Sequence, residues 1–261
     1  MADFTPISLV KRKKTLGSSL ISFVVSFGGI FEVGLVIFVW FIVFQTNLDL
    51  SGLNLPDMVS YFLIGNIISM ATGYLAEKVM SYDLARDEAK MLVLYPKQYL
   101  KRVLLKELSK YLLPFLLIGI AYFVILHIFI EDFEVNLAPH YLIVIFLMVA
   151  LAFLTEFLIA YIFQMIIFWT IQAKAAYDIL LRLKKILAGN YFPLSLLPPM
   201  FISTSLALPF VYSFYVPTEL YLKKISFRQG LIGLAIQICW IIILYALIRI
   251  IWLIKSERKK T

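Results

Sequence analysis

Five long apolar segments constrain the fold of this chain more than any other feature of its sequence. A hydrocarbon core about 30 Å thick requires roughly 20 helical residues to cross it, and each segment reaches that length. The segments are Leu20–Phe44, Val59–Met80, Tyr111–Ile130, Tyr141–Phe163 and Gly230–Ile254. Because 62% of the residues are hydrophobic and only 15% are charged, lipid must be the solvent for most of the surface. The predicted fold class is therefore all-α, a polytopic membrane protein.

The distribution of Lys and Arg predicts which loops face the cytoplasm. Cytoplasmic loops of membrane proteins are enriched in these residues, and here they cluster in Lys11–Lys14, Arg86–Lys110 and Lys255–Lys260. The loops Gln45–Asp57 and Glu131–His140 contain neither Lys nor Arg. Both termini are then cytoplasmic, which requires an even number of crossings, so one more span must accompany the five apolar segments.

Two segments compete for this sixth crossing. Ile166–Leu187 has the right length but carries Lys174, Asp178, Arg182, Lys184 and Lys185. The following segment, Tyr191–Val216, is broken by prolines. They are Pro193, Pro198, Pro199, Pro209 and, just after its end, Pro217. A lipid-exposed span cannot leave so many backbone groups unsatisfied. We therefore predict that Ile166–Leu187 is the fifth span and that Tyr191–Tyr221 is a broken, partly re-entrant outer segment. This layout leaves five basic residues on the outer side, against the usual charge rule. They are Lys184, Lys185, Lys223, Lys224 and Arg228.

The N-terminal stretch 6–16 combines apolar residues with four consecutive basic ones, Lys11–Lys14. Such a stretch is typical of an interfacial helix on the inner leaflet, where anionic membrane lipids stabilise each basic residue by about 1 kcal/mol. A disordered tail that only sets the topology explains the composition equally well. No linker divides the chain, which predicts a single transmembrane domain over residues 1–261.

Charged residues inside the predicted spans are candidate functional groups, because each costs roughly 2.5–3.5 kcal/mol at the centre of a bilayer. They are Glu32, Glu156, Lys174, Asp178 and Arg182. The last three are spaced by four and share one helix face. A turn near Gln164–Ile167 would place Glu156 and Lys174 at matching depth, which predicts an ion pair between them. These charges either hold a helical hairpin together or line a translocation cavity or subunit interface.

The sequence contains no pattern typical of catalysis or cofactor binding. No Gly-rich loop of the P-loop or dinucleotide-binding type is present. The one cysteine and the two histidines are not accompanied by further ligands at metal spacing. The basic residues lie in short clusters between apolar runs, which indicates a role in topology and argues against nucleic-acid binding. We expect no catalytic residue, no metal and no cofactor on this chain.

The loop after the second span predicts a short cytoplasmic helix over residues 82–95, and Pro96 then ends it. Apolar and polar positions separate onto two faces. Leu84, Glu88, Met91, Leu92 and Tyr95 lie near one face, and Asp83, Arg86, Asp87 and Lys90 lie mostly on the other. Such a helix can insert into a cleft of a soluble partner. A solvated extension of the second span is the alternative.

Three stretches of the chain resemble ABC-2-type permeases, in particular bacterial exporter subunits of the branch with paired permeases and one ATPase. They are Ser81–Leu100, Phe168–Pro198 and Leu208–Tyr221. The recurring features are a charged run before two leucines and a proline, a Phe-Trp pair, a Gly before Pro-Leu, and a downstream Leu-Pro-Phe. The resemblance implies six spans, an N-terminal interfacial helix, a coupling helix after the second span and a re-entrant outer hairpin before the sixth.

The resemblance also implies a function and a location. The chain would be a non-enzymatic permease subunit in the bacterial inner membrane, forming half of an export path with a second, identical or homologous permease. Separate ATPase subunits would hold ATP and Mg. The implied ATPase-coupling residues are Leu84, Arg86, Asp87, Glu88, Met91, Leu92 and Tyr95, and the implied re-entrant positions are Gly189, Pro193, Pro198, Pro209 and Pro217. The alternatives are a non-transporting scaffold or anchor of an envelope-assembly complex and, third, an intramembrane enzyme.

Overall fold

The computed structural model describes residues 16–46, 54–72, 120, 124, 138–169 and 173–257. Of these, residues 16–30, 70, 164, 168–169, 173–174 and 254–257 are described by their backbone alone. The interfacial stretch before Leu16, the predicted coupling helix 82–95 and nearly all of the predicted third span lie outside the described residues.

The described residues form helices and short connections, with no strand among them. The helices are α1 (Leu16–Gln45), α2 (Leu55–Thr72), α3 (Pro139–Trp169), α4 (Ala173–Leu187), α5 (Pro199–Ala207), α6 (Tyr215–Tyr221) and α7 (Phe227–Glu257). Two 3₁₀ turns, Leu194–Leu196 and Pro209–Ser213, lie between α4 and α6. The predicted all-α class is confirmed.

Two of the described helices are long and apolar enough to cross a membrane. They contain the apolar stretches Pro139–Ile167, of 29 residues, and Phe227–Leu253, of 27 residues, each about 40 Å long at 1.5 Å per residue. Phe146 of α3 and Ile242 of α7 are 72% and 62% exposed, as expected for side chains that face lipid. The stretches Phe31–Gln45 and Leu55–Ser69 are apolar but shorter. Six crossings remain a prediction.

The predicted boundary between the fourth and fifth spans is wrong. The turn expected at Gln164–Ile167 lies inside α3, which continues to Trp169, and α4 begins at Ala173. The predicted span Ile166–Leu187 is therefore divided between two helices. With 15 residues, α4 is about 22 Å long, which is shorter than a hydrocarbon core.

The segment after α4 is broken into short pieces, as its prolines predict. Pro199 and Pro209 each occupy the first turn of a new helical piece, and Pro193 and Pro198 precede one. Proline is tolerated there because the first N–H groups of a helix have no intrahelical partner. The prolines therefore mark where the two 3₁₀ turns and α5 begin.

This broken segment supplies much of the core. Val211, Thr218 and Leu220 are fully buried, and the segment packs against α2, α3 and α7. The ring of Phe214 lies so close to Gly65 of α2 that a Cβ at that glycine would be 2.3 Å from Phe214 Cζ. Any larger residue at position 65 would therefore require the ring of Phe214 to move.

Candidate functional site

The C-terminal end of α4 is fixed by a Schellman motif. The N–H of Asn190 donates to the carbonyl of Lys185 at 3.0 Å, and the N–H of Gly189 donates to that of Ile186 at 3.1 Å. Gly189 has φ +84°, a left-handed conformation in which glycine avoids a steric cost. The hydroxyl of Tyr61 donates to the carbonyl of Gly189 at 2.9 Å. The end of α4 is thereby attached to α2.

A buried ion pair joins α4 to α3. Lys184 Nζ lies 3.0 Å from Glu156 Oε2, and the two side chains are only 10% and 6% exposed. Removing one partner of such a pair leaves an uncompensated buried charge, which costs about 3–5 kcal/mol. This contact therefore strongly constrains the position of α4 along α3.

The predicted partner of Glu156 was Lys174, and the observed partner is Lys184. Residues pair across a helical hairpin when they lie equally far from the turn. The midpoint of 156 and 174 is 165, inside α3, whereas the midpoint of 156 and 184 is 170, between the end of α3 and the start of α4. Lys174 lies ten residues, or about 15 Å, from Lys184 along α4. Because the predicted turn lies five residues before the observed one, the predicted partner of Glu156 lies ten residues before the observed partner.

A second ion pair joins α4 to α1. Lys185 Nζ lies 2.6 Å from Glu32 Oε1, and these side chains are 40% and 46% exposed. The Tyr191 hydroxyl also donates to Glu32 Oε1, at 3.4 Å, and the indole N–H of Trp40 donates to the carbonyl of Tyr191 at 3.0 Å. Because more of this pair is exposed than of the Lys184 pair, this connection is easier to open than the buried one.

We call the two pairs, Lys184 with Glu156 and Lys185 with Glu32, the two-lysine clamp. Consecutive residues of a helix point about 100° apart, so neighbouring lysines reach two different helices. Both lysines lie in the last turn of α4, where the helix dipole favours positive charge. The clamp holds the end of α4 between α1 and α3.

A small polar cavity of about 50 Å³ adjoins the half-exposed pair. Its polar lining is Glu32, Asn66, Ser69, Lys185, Asn190 and Tyr191, and its apolar lining is Val33, Val36, Phe62 and Phe214. The amide of Asn190 donates to the Ser69 hydroxyl at 3.5 Å. A cavity of this size and polarity has room for a few water molecules. Polar groups from α1, α2 and the end of α4 thus meet at a cavity among apolar helices.

A sequence model of the ABC-2 family transporter proteins matches residues 30–258. The chain belongs to the ABC-2 transporter family. The match confirms the resemblance to ABC-2-type permeases and makes this a membrane transport component. It includes the whole clamp and all residues of the cavity. No curated protein and no solved structure shows significant similarity to this permease.

The structure places the predicted site residues of the permease in different settings. Glu32 and Glu156 both enter the clamp, whereas Asp178 and Arg182 lie on an exposed face of α4. The side chain of Lys174 and the predicted ATPase-coupling residues of 82–95 lie outside what is described. Among the described residues, no group of His, Cys, Asp and Glu side chains is arranged to hold a metal.

Gln237 is a buried polar residue of the permease that the charge pattern does not predict. It is 2% exposed on α7, and its Nε2 donates to the carbonyls of Met148 and Tyr212, both at 3.1 Å. One amide group therefore connects α7, α3 and the broken segment in an otherwise apolar core. A glutamine within an apolar run is itself a signal, since burying an amide without partners is costly.

Proposed function

We propose that this permease forms half of the translocation path of an ATP-driven export system and couples to a separate ATPase subunit. The family match over residues 30–258 carries the proposal. The sequence has no phosphate-binding loop of its own, so ATP and Mg bind to the partner. A second permease, identical or homologous, supplies the other half of the path in the bacterial inner membrane, with both termini of this chain cytoplasmic.

The two-lysine clamp is the part of the path that changes during transport. Its pairs differ in burial, since the Lys184 pair is enclosed and the Lys185 pair is half exposed beside a polar cavity. Opening the more exposed pair costs less than opening the buried pair, which costs several kcal/mol. The two helices α3 and α4 therefore move as one body, and the path opens between α4 and α1.

Chemical cross-linking tests this opening. In a background where Cys239, the one cysteine of the chain, is replaced by Ser, Glu32→Cys and Lys185→Cys are joined by a bifunctional thiol reagent. The protein is purified with the ATPase expressed from its native operon. We expect cross-linking to reduce ATP hydrolysis to the rate of the isolated ATPase, because α1 and α4 can no longer separate.

The single-cysteine variants, treated with the same reagent, serve as controls and keep their activity. A cross-linked permease that still stimulates ATP hydrolysis would show that this pair does not open.

The coupling element is the predicted helix 82–95, whose apolar face docks on the ATPase. A triple variant in which Leu84, Met91 and Leu92 are each replaced by Asp loses three apolar contacts. Each such contact contributes about 1.5–3 kcal/mol when buried. We expect ATPase recovery in co-purification to fall by more than about tenfold. The matched control replaces Asp83 and Lys90 with Ala on the opposite face and leaves recovery unchanged. Equal recovery from both variants would refute the docking.

A further inference from the structure

A second polar cluster lies away from the clamp, where α6 turns into α7. Asp57 belongs to the first turn of α2, Glu219 lies near the end of α6, and Lys224 lies in the turn that follows. Lys224 Nζ is 3.2 Å from Asp57 Oδ2. This ion pair joins the turn to α2.

The backbone fixes Lys224 relative to Glu219. The N–H of Lys224 donates to the carbonyl of Glu219 at 2.9 Å, and the N–H of Lys223 donates to that of Leu220 at 3.2 Å. These are the two hydrogen bonds of a Schellman motif. Lys223 occupies its left-handed position with φ 56°, where glycine is usual and another residue costs about 1 kcal/mol. Lys224 therefore leaves the helix end in a direction set by the main chain.

Glu219 differs from Asp57 in its surroundings. It is 4% exposed, whereas the side chains of Asp57 and Lys224 are 43% and 29% exposed. Among the described residues, none donates a hydrogen bond to its carboxylate. Among the described residues, Lys224 of the turn and Asp57 of α2 interact electrostatically with the Glu219 carboxylate. The charge of Glu219 also interacts with Tyr61 of α2 and with Tyr215 of its own helix.

We propose that Glu219 is a proton-binding site whose protonation sets how firmly Lys224 holds the turn to α2. When Glu219 is protonated, it carries no charge that attracts the Lys224 ammonium. Lys224 then pairs with Asp57 alone, and this ion pair holds the turn against α2. When Glu219 is ionised, its buried carboxylate competes with Asp57 for the same ammonium, and the contact with α2 weakens. This inference does not depend on the proposed function, because it rests only on these three side chains and the helix end.

The ionisation of Glu219 falls in the neutral range. Burial raises the pKa of Glu219, the Lys224 ammonium lowers it and the Asp57 carboxylate raises it, and the net result is a pKa of about 7. Because the pKa is higher in the folded protein than in the unfolded chain, the folded protein binds the proton more tightly. The resulting stability is fully present below the ordinary carboxyl pKa and is lost as pH rises through about 7.

Thermal unfolding of the purified protein in nanodiscs, measured between about pH 5 and 8.5, tests the proposal. We expect the unfolding temperature of the wild type to fall across this range and that of Glu219→Gln to lose the fall. Asp57→Asn removes a negative neighbour of Glu219 and shifts the fall in unfolding temperature to lower pH. Lys224→Met removes the cation and shifts it to higher pH. Asp178→Asn, at an exposed carboxylate of α4, keeps the wild-type profile.

Two results would overturn the proposal. The first is a Glu219→Gln variant that folds and keeps the fall of the wild type, and the second is a pair of shifts of equal sign in Asp57→Asn and Lys224→Met. Should Glu219→Gln fail to fold, infrared difference spectra of the wild type and the two neighbour variants give the same answer. The wild-type spectra must show a protonated carboxylic acid that titrates near neutrality. The pH of this titration must shift in opposite directions in the two neighbour variants. Its absence would equally refute the site.

Discussion

Reversing the charge of Glu156 or Lys184 alone is expected to destabilise the permease by about 3–5 kcal/mol. Each single reversal, Glu156→Lys or Lys184→Glu, places two like charges 3.0 Å apart in a site that is at most 10% exposed. The double reversal restores the attraction and most of the stability. The measurement is the yield and thermal unfolding of each variant in nanodiscs. Glu156→Lys combined with Lys174→Glu should give no rescue, because position 174 lies at another depth.

The half-exposed pair of the clamp provides the matched control. Glu32→Lys disrupts a pair whose side chains are 40% and 46% exposed and that adjoins a polar cavity, so it should cost less than either single reversal in the buried pair. Equal losses for Glu32→Lys and Glu156→Lys would contradict the difference in burial between the two pairs. Failure of the double reversal to restore folding would count against a direct contact between residues 156 and 184.

Replacing Gly65 with Ala is expected to destabilise the docking of the broken segment by about 1–3 kcal/mol, as overpacking does in other cores. The added Cβ would lie 2.3 Å from Phe214 Cζ and 2.7 Å from Cε1. Phe214 is only 3% exposed and packs edge to face against Tyr61 at 5.6 Å. The ring therefore has little room to withdraw. Thermal unfolding in nanodiscs measures the loss.

Gly34 of α1 is the natural comparison, because a Cβ there would have nothing within 4 Å. Gly34→Ala should leave the stability unchanged or raise it by about 0.5–1 kcal/mol, the gain that alanine brings to a helix. Adding Phe214→Leu to Gly65→Ala should recover part of the loss by shortening the opposing side chain. If Gly65→Ala unfolded at the same temperature as Gly34→Ala, the close approach of Phe214 would be refuted.

The long apolar helices are predictable from the sequence because hydropathy is a local property. The predicted segments Tyr141–Phe163 and Gly230–Ile254 both lie within observed helices, α3 and α7. The broken segment after α4 is also predictable, since proline restricts the backbone wherever it stands. These features need no knowledge of which residues meet in space.

The end of α3 is not predictable in the same way. Residues 164–172 contain neither Gly nor Pro, so no local signal marks where the helix stops. The length expected of a span therefore predicts a turn that lies five residues before the observed one. An error in the position of the turn is doubled in the position of the residue that pairs across the hairpin. The sequence therefore predicts Lys174 where the structure has Lys184.

The clamp itself depends on contacts between distant parts of the chain. Lys185 and Glu32 are 153 residues apart, and a single sequence carries no record of such a pairing. Lys184 and Lys185 appear in the sequence only as exceptions to the charge rule. Their explanation is that each has an acidic partner on another helix, which reduces the cost of placing a cation there.

The adjacency of the two lysines limits how α4 can move. A slip of this helix by one residue would present Lys185 to Glu156 and the apolar side chain of Ile186 to Glu32, so one carboxylate would lose its cation. A rotation of α4 about its own axis would displace both ammonium groups at once, because they share a single turn. The double contact therefore fixes the angular setting of α4 as well as its height for as long as both pairs are formed.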